Sequence, residues 1–141
     1  MSKYLLREGI ISVSKRVLVT GGAGFIGSHL VRRLLADGNK VRVIDNLSTG
    51  YHYNLNEVIN DIEFIEGDLC SEKDSKRAVS DIEIIFHQAA IPSVPRSIQE
   101  PVSSVTNNVI GTTILLNAAV HAGVHHVVYA ASSSAYGNNQ A

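Results

Sequence analysis

The run Val17-Leu18-Val19-Thr20-Gly21-Gly22-Ala23-Gly24-Phe25-Ile26-Gly27 constrains the fold more than any other stretch of the chain. A short β-branched segment gives way to glycines and then to an amphipathic pattern, which reads as strand, tight turn and helix. Turns of this kind hold the pyrophosphate of a dinucleotide. Gly21 permits the turn off the strand, Gly24 lets the backbone approach the phosphates, and Gly27 lets the helix pack close to the sheet. The helix start adds free N–H groups and the positive end of its dipole. The G-x-G-x-x-G pattern of Gly22 to Gly27 recurs by chance in glycine-containing loops, so its context decides.

That context is an alternation of apolar runs at βαβ spacing. Strands are predicted over 16–20, 40–45, 62–66, 82–87 and 125–131. Helices are predicted over 25–37, 71–80 and 102–122, with a weak helix inside 46–60 and a loop carrying Pro92, Pro95 and Pro101. Runs such as Val41-Arg42-Val43-Ile44 and Ile82-Glu83-Ile84-Ile85-Phe86 imply a parallel sheet with helices on both faces. The expected architecture is a Rossmann-type doubly wound sheet of order 3-2-1-4-5 in three α/β/α layers. Asp37-Gly38 and Gly123 stand where left-handed residues close helices.

A length of 141 residues suffices for one domain with a proper core. Hydrophobic residues at 45% and charged residues at 18% exclude a disordered chain. The net charge is −1 and no basic block exceeds a pair, so there is no footprint for nucleic acid. A single cysteine, Cys70, rules out an internal disulfide and fits a reducing compartment. The N-terminus interrupts its apolar residues with charge too early for a signal-peptide core, and no stretch approaches a membrane span. The chain is therefore read as cytoplasmic, with 1–14 as an N-terminal extension and 15–141 as the domain.

Several residues carry candidate chemistry at strand ends. Asp45 ends the second strand, where a carboxylate accepts bonds from both ribose hydroxyls and repels a 2′-phosphate, selecting NAD over NADP; alternatively it caps the Asn46-to-Gly50 turn. Asp68 ends the third strand and meets the adenine amino group, or serves as N-cap of the following helix. Gln88, Ala89 and Ala90 leave the fourth strand with small side chains against which a flat cofactor lies. His87 reads as a core histidine satisfied by a backbone partner. Ser132, Ser133 and Ser134 leave the fifth strand with hydroxyls for a polyhydroxylated substrate, or simply make a turn. His121, His125 and His126 read as surface residues, since Gly123 separates them and no Cys, Asp or Glu lies nearby to complete a metal site. Cys70 reads as structural.

With these residues assembled, the chain resembles the extended short-chain dehydrogenase/reductase family, in its NAD-dependent sugar-nucleotide epimerase/dehydratase branch. The likeness runs from Lys15 to Gly137 through Thr20–Gly27, Asp45–Gly50, Gly67-Asp68-Leu69, His87–Ala90, Asn107–Thr112 and Ser132–Gly137. The resemblance implies that Phe25 and Ile26 cover the pyrophosphate and that Asp45, Asn46, Ser48, Thr49 and Gly50 hold the adenosine part. It also implies that Asp68 and Leu69 flank adenine, and that Gln88 to Ala90 and Asn108 line the dinucleotide path. Ser132 matches the catalytic Ser/Thr, with Pro92, Ser93, Ser133 and Ser134 beside the sugar. Dehydratase relatives place carboxylates after the catalytic Ser/Thr; Ser133 and Ser134 are neither acid nor base. The loop Ala89–Ser97 is similar to that of hexose 4-epimerases acting on UDP-glucose or UDP-N-acetylglucosamine. The implied substrate is thus a UDP-hexose, with a dehydratase or reductase as the alternative enzyme.

One family motif has no counterpart. Tyr4, Tyr51, Tyr53, Tyr129 and Tyr136 are followed four positions on by Glu8, Leu55, Glu57, Ser133 and Gln140, so no Tyr-x-x-x-Lys occurs in the sequence. In the family that tyrosine exchanges the proton of the sugar hydroxyl. The expectation is an N-terminal, cofactor-binding portion of an epimerase without its substrate domain, inactive alone and prone to self-association through an exposed sheet edge. The rival expectation is a stand-alone NAD-binding or scaffold module.

Overall fold

The computed structural model describes residues 14–132 and Gly137. Five parallel strands, β1 (Arg16–Thr20), β2 (Lys40–Asp45), β3 (Ile62–Glu66), β4 (Ile84–His87) and β5 (His126–Tyr129), lie in the order β3-β2-β1-β4-β5. This is the expected order. The helices are α1 (Phe25–Ala36), α2 (Glu72–Val79), α3 (Val94–Gln99), α4 (Pro101–Val105) and α5 (Thr112–Ala122).

Alternation along β1 divides the core. Val17 and Val19 point to one face, where they pack with Val31 and Leu34 of α1, Val41, Val43 and Leu55. Leu18 points to the other, among Ile44, Ile65, Ile85, Val79 of α2 and Leu115 of α5. Both faces of the central strands are therefore dry, as a parallel sheet requires. Helix ends follow local chemistry. Ser71 Oγ accepts the Asp74 N–H at 3.3 Å to start α2. Gly38 (φ 85°) follows α1, and Gly123 (φ 71°) closes α5 in the left-handed region.

Three local expectations differ from the structure. β4 begins at Ile84 rather than at residue 82, after Asp81 takes a left-handed φ of 58°. The three-proline loop contains α3, opened by Ser93 Oγ accepting from Arg96 N–H at 3.2 Å and by Pro95 in its first turn. The helix expected over 102–122 is divided: Pro101 keeps Glu100 out of helical geometry (φ −128°, ψ 62°), and a π turn over Thr106–Gly111 separates α4 from α5. Periodicity reports only that a segment is helical, and a π turn leaves that pattern nearly intact.

Candidate cofactor-binding cleft

The carboxyl ends of the strands open onto one cleft of about 1170 Å³, which straddles the point where the chain order reverses between β1 and β4. Its floor is the glycine turn. Gly21 has φ 67°, and a Cβ there would stand 2.8 Å from the backbone N and Cα of Ala89. A Cβ on Gly27 would overlap the Gly21 carbonyl and approach Gly22 Cα to 2.8 Å. The turn and the helix thus sit as close as backbone allows, which leaves the start of α1 open to the cleft. Phe25 and Ile26 stand 78% and 66% exposed at its lip.

Asp45 braces this floor. Its Oδ2 accepts the Ala23 N–H at 2.9 Å and its Oδ1 the Leu47 N–H at 2.8 Å, so one nearly buried carboxylate joins the glycine turn to the loop after β2. The turn-capping alternative is realised in these bonds. Each oxygen still has a lone pair to offer, and Asp45 lines the cleft.

Asp68 is not the N-cap of α2; Ser71 is. Its Oδ1 accepts the Cys70 N–H at 2.8 Å and its Oδ2 an Asn46 Nδ2–H at 3.2 Å. Partial burial pushes the Asp68 carboxyl upward, but these bonds outweigh it and hold the group below the usual carboxylate range. Burial first, and the Asp68 charge second, push the Cys70 thiol up, which keeps it protonated and unreactive.

The structure brings nearly all the sequence-derived site residues together. Gly21, Gly24 to Gly27, Asp45, Asn46, Ser48 to Gly50, Asp68, Leu69, Gln88 to Ala90, Pro92, Ser93, Asn108 and Ser132 all line the cleft. Ser133 and Ser134 lie outside the described residues. Sequence reasoning missed Ile91, Arg96 and Asn107 on the wall, and Arg96 is the one cation among the described lining residues. An arginine in the proline-rich segment that follows the fourth strand's carboxyl end was the available signal.

Sequence reasoning also missed a buried network behind the wall. Thr20 Oγ1 lies 2.7 Å from His87 Nδ1, and His87 Nε2 lies 2.9 Å from Thr112 Oγ1. His87 is 2% exposed and satisfied by two hydroxyls, not by the backbone partner expected. Burial lowers its pKa to about 4. A folded-state value below the unfolded 6.5 means that the unfolded chain binds the extra proton. The contribution to stability is therefore full above pH 6.5 and is lost as pH falls toward 4. Between pH 7.5 and 5.5 the wild type should lose about 1.4 kcal/mol from this group. Urea unfolding should show that loss in the wild type and not in His87→Gln; equal pH dependence would refute the assignment.

No group of three or more His, Cys, Asp or Glu stands together as a metal site among the described residues. His121 Nδ1 is 2.8 Å from the Asn117 carbonyl. No helix among the described residues is long and apolar enough to cross a membrane.

An open parallel sheet with a glycine turn at its switch point defines a Rossmann-type α/β protein. Residues 17–141 match the NAD dependent epimerase/dehydratase family, and the chain belongs to that family. A UDP-glucose 4-epimerase of Mycolicibacterium smegmatis is 46% identical over 127 residues, which cover 86% of this chain and 40% of that protein. The crystal structure of a UDP-glucose 4-epimerase from Thermotoga maritima with UDP-glucose superposes with a TM-score of 0.82 at 39% identity, covering 89% of this chain and 41% of that one. The Thermus thermophilus UDP-glucose 4-epimerase in complex with NAD gives 0.77 at 43% identity, covering 83% and 37%. The chain thus spans about two fifths of the length of these relatives.

Proposed function

We propose that residues 15–141 form the NAD-binding portion of a UDP-hexose 4-epimerase of the UDP-glucose/UDP-N-acetylglucosamine type. The observation that carries this reading is the glycine cradle with Asp45 locked beneath it, on the floor of a cleft large enough for a dinucleotide. The residues fit the cofactor: the backbone at Gly24 to Gly27 faces the pyrophosphate, Asp45 takes the ribose hydroxyls, and Asp68 and Leu69 flank adenine. When bound, NAD would supply the hydride acceptor for oxidation at sugar C4 and, in its reduced form, the hydride donor for the return step. Gln88, Ala89, Ala90 and Asn108 line its path, Ser132 hydrogen-bonds the reacting sugar oxygen, and Pro92, Ser93, Ser133 and Ser134 border the sugar. Serines rather than carboxylates after Ser132 favour epimerisation over dehydration. The lone cysteine favours a cytoplasmic setting.

NAD at about 100 times its Kd should stabilise this chain by roughly 2.7 kcal/mol in thermal or urea unfolding. No stabilisation would refute the reading. Residues 1–141 contain no Tyr-x-x-x-Lys, and a positioned acid–base group is worth about 10²–10⁴-fold in rate. We therefore expect this stretch alone to bind NAD without sustained interconversion of UDP-glucose and UDP-galactose; steady turnover by residues 1–141 would overturn that expectation.

Association through the β5 side is part of the same reading. Val127, Val128 and Tyr129 of β5 and Leu116 and Val120 of α5 are all exposed. Light scattering should report a mass that rises with concentration, and a clean monomer throughout would count against it.

A further inference from the structure

Hydrogen-bond capacity around His87 settles its tautomer. Thr20 Oγ1 accepts the Ala89 N–H at 3.1 Å and shares the Gln88 N–H, at 3.2 Å, with the Thr20 carbonyl, so both of its lone pairs face N–H donors. Its remaining contact, to His87 Nδ1, must be one in which the hydroxyl donates. At the other nitrogen, Thr112 Oγ1 donates its proton to the Asn108 carbonyl at 2.8 Å, so toward His87 Nε2 it must accept. The two ends independently require the same ring: neutral, bare at Nδ1 and protonated at Nε2.

The direction of this chain of bonds matters because of what it pins. The wall Gln88 to Ile91 is held at its start by Thr20 and at its end by Asn108, whose Oδ1 accepts the Ile91 N–H at 2.8 Å and whose Nδ2 donates to the Ile91 carbonyl at 3.2 Å. Thr20 ends β1 and begins the glycine turn; Asn108 belongs to the π turn. His87 is the only side chain in these bonds that reaches toward both, through Thr20 on one side and Thr112 on the other.

We propose that His87, as the Nε2–H tautomer, is a positioning residue that ties the glycine turn to the π turn and so fixes the cleft wall Gln88–Ile91 at the distance the dinucleotide requires. The proposal rests on the NAD-binding reading, to which it adds a residue buried behind the wall. His87 touches no ligand itself; it acts through Thr20 and Thr112.

Two substitutions divide the ring. In His87→Asn the carboxamide oxygen stands near the Nδ1 position and keeps Thr20, while in His87→Gln the carboxamide nitrogen stands near the Nε2 position and keeps Thr112. Each should weaken NAD binding severalfold, His87→Phe should weaken it at least tenfold, and circular dichroism should report a folded chain. Thr112→Val should weaken binding about as much as His87→Asn. The double variant should be no worse than Thr112→Val alone, because the His87–Thr112 bond that His87→Asn removes is already gone there. Nitrogen NMR of the wild-type ring should show Nδ1 unprotonated and Nε2 protonated at pH 7. Wild-type NAD affinity in folded His87→Asn and His87→Gln, additive loss in the double variant, or the Nδ1–H tautomer would each overturn the proposal. A wild type that binds no NAD would overturn the underlying reading instead, and a ring found as Nε2–H would then leave the bond direction standing without its role in binding. Should His87→Phe fail to fold, the Asn and Gln variants and the NMR still decide.

Discussion

Gly27→Ala is expected to cost about 3 kcal/mol of stability and at least tenfold in NAD affinity. The added Cβ would meet only backbone: the Gly21 carbonyl, and Gly22 Cα at 2.8 Å. Backbone cannot rotate out of the way as a side chain does, so α1 and the glycine turn must separate, at the upper end of the usual cost of overpacking. That separation moves the N–H groups that would face the pyrophosphate, so binding falls with stability. Gly38→Ala is the matched control. Gly38 has φ 85° with nothing within 4 Å of its would-be Cβ, so the change should cost about 1–2 kcal/mol of backbone strain and leave NAD affinity unaltered. Equal NAD affinity in Gly27→Ala and wild type, by calorimetry, would contradict the geometry.

Asp45→Ala is expected to act on both stability and cofactor choice. Without the carboxylate the Ala23 and Leu47 N–H groups lose their acceptors in a nearly buried setting, costing about 1–3 kcal/mol each where water cannot replace them. The same loss removes the ribose-hydroxyl acceptor and the charge opposing a 2′-phosphate. NAD affinity should fall at least tenfold, and the preference for NAD over NADP should shrink toward unity. A variant that keeps both the affinity and the preference would remove Asp45 from the site.

The frame was legible in the sequence because each of its parts is local. The β-branched run before Gly21, the small residues at the ends of strands, and Gly38 and Gly123 after helices all declare themselves within a few positions. The strand order followed from the βαβ alternation, and with it came the shared edge that gathers Asp45, Asp68, Gln88 and Ser132. Two things were not legible. The π turn was hidden because Val102, Val105, Val109 and Leu116 still fall at helical spacing, as if on one stripe. The Thr20–His87–Thr112 chain was hidden because its residues are far apart in sequence. The β1–β4 register, which sets Thr20 opposite His87, brings the first two together, and the start of α5, just after the π turn, delivers the third. Asp45 shows a milder version of the same limit. Its position at the end of β2 was plain, but its bond to the Ala23 N–H, which makes it part of the glycine turn, depends on β2 lying beside β1.

The central claim is that this chain's cleft is built for NAD. Calorimetric titration of residues 1–141 with NAD and, separately, NADP at pH 7.5 tests it most directly. The account predicts saturable one-to-one binding of NAD, with NADP weaker by at least about tenfold, since one carboxylate opposes the added phosphate. No binding of NAD, or equal affinity for the two dinucleotides, would contradict it.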